Sequence, residues 1–165
     1  MLFRPANMKD ILSIMGIVHD AQNALKSRHV DQWQNGYPNQ NSIEEDIQKG
    51  IGYIICMEDE PVAYAAIVIN GEPEYNNLEG QWLSNGDYLV IHRLCVKEGY
   101  TRMGLASSIM KSAIEMAKAG DIHSIKIDTH KDNQYMLSLL ARNGFKYCGE
   151  IHYRHGERIA FEKVI

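Results

Sequence analysis

The stretch YLVIHRLCVKEGYTRMGLAS, from Tyr88 to Ser107, decides the fold of this chain. Its first half, as far as Val96, is a near-continuous run of β-branched and apolar residues, which is the composition of a strand buried on both faces. The pair His92 and Arg93 interrupts this run. Because a buried imidazole or guanidinium needs polar partners, we expect this strand to line a wet cleft on at least one face.

The second half of the stretch predicts a loop that contains glycine, followed by a helix. Lys97 to Met103 is polar, and apolar side chains recur at helical spacing after Gly104. We therefore expect a helix to begin between Thr101 and Gly104. The first turn of a helix has N–H groups without intrahelical partners and carries a partial positive charge, which makes this loop a candidate anion site. Arg102 could add a charge-assisted contact to the anion.

This loop resembles the acyl-CoA loop of the GNAT N-acetyltransferases, (Q/R)-x-x-G-x-(G/A) after a strand that ends in valine. Gly104 and Ala106 match the pattern, whereas Thr101 stands where the family has Gln or Arg. Residues 133–145, NQYMLSLLARNGF, resemble a second family segment, N-x-x-A-x-x-L-Y-x-x-x-G-F. In this segment Leu140 stands where the family often has tyrosine.

The predicted order of elements is β-α-α-β-β-β-α-β-α-β-β, which indicates an α/β fold with a central mixed sheet and helices on both faces. This is also the order of the GNAT, or acyl-CoA N-acyltransferase, fold. The chain has 165 residues, of which 45% are hydrophobic and 23% charged, and this composition fits one globular domain with a real core. We therefore expect a single GNAT-like acetyltransferase domain over residues 1–165.

Capping signals predict the two helices nearest the N-terminus. Asn7, with Asp10 three residues later, indicates the start of a first helix that ends at about residue 26. Ser42 with Glu45 forms a capping-box pattern and predicts a second helix over Ile43–Lys49. Residues 71–87, GEPEYNNLEGQWLSNGD, are too polar for a core element, and we expect either a disordered excursion or a substrate-facing lid.

The family resemblance implies acetyl-CoA (coenzyme A) as the acyl donor and implies no metal. The pyrophosphate of the donor would lie on the backbone amides of Arg102, Met103, Gly104, Leu105, Ala106 and Ser107. Its pantetheine arm would pair with the backbone at Leu94 and Val96, as if it were a further strand. Asn133 would give a side-chain hydrogen bond to the same molecule.

The reaction that the resemblance implies is direct attack of a neutral amine on the thioester. It needs a base, an oxyanion donor and an acid. By analogy with the family, the N–H of Leu94 is the oxyanion donor. Side chains two apart on a strand share a face, so Val90, His92 and Leu94 line the same side if Leu94 does. His92 is the titratable group among them and is the candidate base, directly or through a water; the alternative is a histidine that pairs with a backbone carbonyl.

The acid has no assigned residue, because Leu140 cannot donate a proton. Tyr135, Tyr147, Tyr88 or solvent could protonate the departing thiolate, and the sequence leaves this choice open. Arg93, on the opposite face of the strand, is expected to pair with a carboxylate of a helix rather than with substrate. The residues that we assign to acceptor binding are aromatic or polar side chains in loops and at strand ends: Trp33, Tyr37, Tyr88 and His130.

The bulk properties exclude several classes of partner. A formal net charge of −4 disfavours nucleic acid, and no apolar run approaches the ~18 residues of a membrane span. The three cysteines are far apart in apolar runs and are expected to be reduced, as in a cytoplasmic protein. His152 and His155 lack evident companions for a zinc site. A homodimer is compatible with the sequence, which does not locate an interface.

We therefore expect an N-acetyltransferase (an acyltransferase) that acts on a primary amine of a small molecule or a peptide. The departures at Thr101 and Leu140 favour an alternative, a catalytically weak module with the same fold that senses acyl-CoA. An unrelated nucleotide-binding domain is less well supported, because the chain has neither a Walker A loop nor a G-x-G-x-x-G fingerprint.

Overall fold

The computed structural model describes residues 1–165 and contains eight strands and four helices. The strands are β1 (Leu2–Pro5), β2 (Gly52–Met57), β3 (Glu60–Ile69), β4 (Glu79–Gly80), β5 (Leu89–Val96), β6 (Ser124–Thr129), β7 (Lys146–Tyr153) and β8 (Gly156–Val164). The helices are α1 (Ile11–Ser27), α2 (Gln40–Gln48), α3 (Leu105–Ala119) and α4 (Gln134–Arg142). Short 3₁₀ helices, Met8–Asp10 and Pro73–Asn77, precede α1 and β4.

The strands form one mixed sheet in the order β1-β2-β3-β5-β6-β8-β7-β4. Strands β5 and β6 are parallel, with Leu89 opposite Ile125 and Val90 opposite Lys126, and α3 is the crossover between them. The hairpin of β7 and β8 is antiparallel, as are the pairs β1–β2, β2–β3, β6–β8 and β4–β7. The mixed sheet and the predicted order of elements are confirmed, with the two-residue strand β4 as an addition.

The chain divides into two compact units, and the strands β3 and β5 and the helix α3 run through both. Unit 1 comprises Met1–Ile67 and Arg93–Ile109, and unit 2 comprises Val68–His92 and Met110–Ile165. The prediction of a single domain over residues 1–165 stays a prediction.

The core of unit 1 forms around the apolar face of α1. Apolar side chains recur along this helix every three or four residues, and this spacing places them on one face. They pack with side chains of α2, β2, β3 and β5 into a buried cluster: Ile14, Ile17, Val18, Ile43, Ile54, Cys56, Tyr64 and Cys95. Burial of each large aliphatic side chain contributes about 1.5 to 3 kcal/mol.

The first predicted helix cap is confirmed, and the second is wrong. At the start of the 3₁₀ helix before α1, Asn7 and Asp10 form a capping box, and Arg4 pairs with the Asp10 carboxylate at 2.8 Å. The hydrogen bond from Arg4 lowers the pKa of Asp10.

Helix α2 begins at Gln40, because Asn39 rather than Ser42 is the N-cap and accepts a hydrogen bond from the Ser42 N–H. Ser42 takes the third position of the same capping box, so the helix starts three residues earlier than expected.

Residues 71–87 are not a disordered excursion, because their aromatic side chains pack into unit 2, and the substrate-facing lid stays a prediction. Tyr75 is buried in a cluster with Val90, Ile151 and Ala160. The indole N–H of Trp82 donates to the Tyr75 carbonyl at 2.9 Å, and the Leu83 N–H donates to the buried Glu162 carboxylate at 2.6 Å. The bond from Leu83 ties this segment to β8.

Candidate functional site

Strand β5 is irregular at Arg93, the residue between the predicted base and the predicted oxyanion donor. Arg93 has a φ of 54°, in the left-handed region that residues other than glycine rarely adopt. A single left-handed residue inside a strand is typical of a bulge and re-aims the side chains that follow it. The regular alternation that was expected to put His92 and Leu94 on one face is therefore interrupted between them.

In unit 1, strand β5 leads into the glycine-bearing loop. The loop begins with two anchors: the Lys97 N–H donates to the Val62 carbonyl at 2.8 Å, and the Glu98 N–H donates to the Asp20 carboxylate at 3.0 Å. The Lys97 ammonium also pairs with the Glu60 carboxylate. These contacts fix the end of the strand relative to α1 and β3. Leu94 is buried and Val96 is half-buried.

The loop turns into α3 through left-handed backbone at Arg102, with a φ of 64°, and at Gly104, with a φ of 79°. The helix begins at Leu105, one residue after the predicted range. The Ser108 N–H donates to the Gly104 carbonyl at 2.9 Å, which joins Gly104 to the first turn of the helix. A Cβ built on Gly104 would meet no atom within 4 Å. The backbone there is open to a ligand, which fits the binding of a phosphate group at a helix start. Met103 is exposed.

In unit 2, His92 faces an acidic partner that the sequence did not suggest. The His92 Nε2 atom lies 3.8 Å from the Glu72 Oε2 atom, and each side chain is 17% exposed. Glu72 belongs to the segment of residues 71–87, and its carboxylate also caps the 3₁₀ helix by accepting from the Glu74 N–H at 3.1 Å. No sequence signal connects Glu72 with His92, because their proximity depends on how the segment folds.

A second carboxylate of unit 2, Asp128, is bound by tyrosine hydroxyls. The Tyr75 hydroxyl donates to Asp128 at 2.8 Å, and Tyr153 is a further hydrogen-bonding partner. Burial raises the pKa of Asp128 above its ordinary value, against the opposing effects of the Tyr75 hydrogen bond and the nearby Arg158 charge. Burial also raises the pKa of Tyr75 and of Tyr153, and the Asp128 charge adds to the effect.

Tyr88, which we assigned to acceptor binding, lies against a lysine of unit 2. The Lys126 Nζ atom is 3.9 Å from the centre of the Tyr88 ring and 4.2 Å from the centre of the Trp82 ring. Burial lowers the pKa of Lys126, against the charge of Glu162, and burial raises the pKa of Tyr88. The ring of Tyr88 therefore has a cation–π contact inside the protein.

The two aromatic residues of unit 1 that we assigned to acceptor binding have different environments. Trp33, which has a φ of 62°, packs against the core cluster of unit 1. Tyr37 is 38% exposed, and its hydroxyl accepts a hydrogen bond from Arg93 at 2.6 Å. Arg93 also pairs with Asp46 of α2, which confirms the expectation that a helix carboxylate is its partner.

The predicted polar residues before α4 shape the start of that helix. The Asn133 side chain is the N-cap and accepts from the Met136 N–H at 3.2 Å. The His130 Nδ1 atom accepts from the Asp132 N–H at 3.1 Å.

Leu140 is fully buried, so the position where the family often has tyrosine contributes to the core. Of the tyrosines considered as an acid, Tyr135 and Tyr147 are exposed.

His152 has acidic companions that its sequence neighbours do not indicate. Its Nε2 atom is 2.9 Å from Glu79, and the ligand atoms of Glu79, Glu150 and His152 all lie within 4.8 Å of one another. All three residues are exposed, and the hydrogen bond to Glu79 raises the pKa of His152. Pairing of Glu79 with Glu150 in the β4–β7 ladder brings the group together. The three cysteines are free and buried, as predicted.

Comparison with known proteins assigns the family. The model of the acetyltransferase (GNAT) family matches residues 18–145, and the chain belongs to this family. A GNAT-family acetyltransferase from Streptococcus agalactiae 2603 has a similar structure, with 31% identity, a TM-score of 0.91, and coverage of 99% of this chain and 95% of that chain. A candidate acetyltransferase from Staphylococcus aureus Mu50 has 25% identity and a TM-score of 0.77, with coverage of 99% of both chains.

A curated relative matches a smaller part of the chain. The GCN5-related N-acetyltransferase 6, chloroplastic, of Arabidopsis thaliana is 30% identical over 59 residues, which are 36% of this chain. The matched region spans 20% of that relative's length. None of the four helices described above has the length and apolar character needed to cross a lipid bilayer.

Proposed function

We propose that this chain transfers the acetyl group of acetyl-CoA to a primary amine of a small molecule or a peptide. The observation that carries the proposal is the open backbone at Gly104, directly before α3, in a chain of the GNAT family. The family uses acetyl-CoA, and the helix start supplies the N–H groups and partial positive charge that suit its pyrophosphate. In this proposal the backbone amides of residues 102–107 hold the pyrophosphate.

When bound, acetyl-CoA supplies an activated acetyl thioester. The residues of this chain that we assign to the donor side are Leu94 and Val96, whose backbone groups pair with the pantetheine arm, and Asn133, which gives a side-chain hydrogen bond. The Leu94 N–H is the proposed oxyanion donor. Because Leu94 follows Arg93, the direction of its N–H depends on the left-handed backbone at Arg93.

Proton transfer is assigned to His92 at its Nε2 atom. A neutral imidazole can accept a proton from the acceptor amine, directly or through a water. The Glu72 carboxylate, 3.8 Å away, is placed to stabilise the imidazolium that results. A histidine beside a carboxylate is a recurrent arrangement for a general base, and this pair supports the catalytic interpretation of His92 over the structural one.

The experiment that tests the proposal is calorimetric titration with acetyl-CoA, followed in the same samples by a thiol-release assay with a panel of amines and short peptides. Binding with thiol release on an acceptor would support the enzyme and identify the acceptor class. Binding without release across a broad panel would favour the acyl-CoA sensor, the interpretation that the departures at Thr101 and Leu140 suggest. Absence of binding would overturn the assignment of the Gly104 loop.

A further inference from the structure

Arg93, in unit 1, has both an unusual backbone conformation and a side chain fixed by hydrogen bonds. It is the left-handed residue of β5, and its guanidinium is also fixed by several hydrogen bonds. Its side chain is 14% exposed and that of Asp46 is 4% exposed, so the charges of the pair are largely removed from water. Burial of two charges is costly, and such a pair is weak evidence for stability alone.

The geometry of the Arg93 side chain is that of a clamp. Its Nε donates to the Asp46 Oδ2 atom at 2.7 Å, its Nη2 donates to the other carboxylate oxygen, and its Nη1 donates to the Tyr37 hydroxyl at 2.6 Å. The two bonds to Asp46 make a bidentate fork, which fixes orientation as well as distance. Asp46 also accepts a bond from outside the fork, because the Tyr64 hydroxyl donates to Oδ2 at 2.5 Å.

We propose that Arg93 is a positioning residue, and that its clamp on Asp46 holds the left-handed turn of β5 that aims the Leu94 N–H. The expected effect on activity rests on the proposed function, whereas the claim that the Arg93–Asp46 pair holds the left-handed backbone does not. A left-handed conformation is unfavourable for a residue with a Cβ atom, so an arginine stays there only when its surroundings hold it. The fork to Asp46 on α2 provides that hold.

The test separates the effect of the left-handed backbone at position 93 from the effect of the ion pair with Asp46. The double variants Arg93→Gly with Asp46→Asn and Arg93→Ala with Asp46→Asn both lack the clamp, and neither leaves an uncompensated carboxylate at position 46. They differ in one respect: glycine adopts a positive φ freely, whereas alanine does not. Tyr64→Phe is the matched control, because it removes another bond to Asp46 without changing Arg93.

We expect Arg93→Gly to retain the kcat that Arg93→Ala loses, both in the Asp46→Asn background. The alanine double variant should lose roughly tenfold or more in kcat, the factor that corresponds to the cost of left-handed backbone. The glycine double variant should keep most of its kcat. The Kd for coenzyme A should change less than kcat in both variants, because the amides proposed for the pyrophosphate lie beyond Val96 and only the proposed pantetheine contact at Leu94 adjoins position 93. Tyr64→Phe should unfold more easily at unchanged kcat.

Crystal structures of both double variants provide the readout that does not depend on activity. A positive φ at position 93 with glycine and an extended one with alanine supports the clamp. Equal kcat values and the same φ in both variants would overturn it. If wild-type protein acetylates no acceptor, the proposed function fails, while φ at position 93 still decides whether the Arg93–Asp46 pair holds the left-handed backbone.

Discussion

The His92 imidazole and the Glu72 carboxylate approach within 3.8 Å, and each side chain is 17% exposed. A carboxylate at this distance can stabilise the imidazolium that forms during proton transfer, and partial burial limits screening by salt. If His92 is the base, substitution of Glu72→Gln should lower kcat by about tenfold, because the imidazolium formed on proton transfer then lacks the neighbouring negative charge. Steady-state thiol release on both proteins measures this, and equal kcat values would contradict the assignment.

Removal of the imidazole itself should have a larger effect. His92→Ala should lower kcat by about 10²- to 10⁴-fold, the contribution typical of a general base, and should leave the affinity for acetyl-CoA nearly unchanged. His123→Ala is the matched control, because His123 is an exposed histidine of the same unit, with 70% of its side chain accessible. Steady-state kinetics on the two variants measures the loss of kcat, and calorimetry measures their affinity for acetyl-CoA. An unchanged kcat in His92→Ala at neutral pH would remove His92 as the base.

The open backbone at Gly104 gives a prediction about the donor. Gly104→Val should weaken coenzyme A binding by at least about tenfold, because a branched side chain would occupy the space into which a pyrophosphate has to come. Gly50→Val is the matched control: Gly50 also has a positive φ, of 70° against 79° for Gly104, and a Cβ there also meets no atom within 4 Å. Calorimetric titration should show the loss in the first variant only. Equal affinities would count against the pyrophosphate site.

Features that depend on local sequence were predictable. The strand at residues 89–96, the loop with its glycine, the capping box of Asn7 with Asp10 and the β7–β8 hairpin all follow from composition, periodicity and short-range hydrogen bonds. The pairing of Arg93 with a helix carboxylate followed from the cost of a buried guanidinium. These signals lie within a few residues of one another, or concern a single residue that must have a partner.

Features that depend on distant contacts were not predictable. Nothing in the sequence VIHRLCV signals a left-handed arginine, because the clamp on Asp46 lies 47 positions away in the chain. Glu72 reaches His92 only because residues 71–87 fold against the sheet through Tyr75 and Trp82. The start of α2 was misjudged because Ser42 suits both the N-cap position and the third position of a capping box.

The buried carboxyl of Asp128 gives a prediction about stability and pH. Burial raises its pKa in the folded protein, so folding favours the protonated form. The charged form therefore destabilises the folded protein at neutral pH, and this destabilisation is relieved as pH falls through the raised folded-state pKa. Asp128→Asn, which still accepts from the Tyr75 hydroxyl, should be more stable than wild type at pH 7, with a difference that shrinks toward acidic pH. Urea unfolding at several pH values tests the sign, and a less stable variant at pH 7 would refute it.

The contact between β4 and β7 requires glycine on both strands, which gives a final prediction about stability. A Cβ on Gly149 would lie 2.2 Å from the Glu79 carbonyl oxygen, and one on Gly80 would lie 2.0 Å from the Cys148 carbonyl oxygen. The obstructing atoms are backbone and cannot rotate away, so Gly149→Ala should lower the free energy of unfolding by about 2 to 4 kcal/mol, through steric overlap and a φ of 149°.

Gly86→Ala is the control that isolates the steric part of this effect. Gly86 also has a positive φ, of 96°, but a Cβ there would meet no atom within 4 Å. Its loss should be confined to backbone strain, about 1 kcal/mol. Denaturant unfolding of the two variants separates the contributions. The β4–β7 contact also holds Glu79 opposite Glu150, so Gly149→Ala should in addition disturb the ion pair of His152 with Glu79. Equal stabilities of the two variants would mean that the strands can separate at little cost.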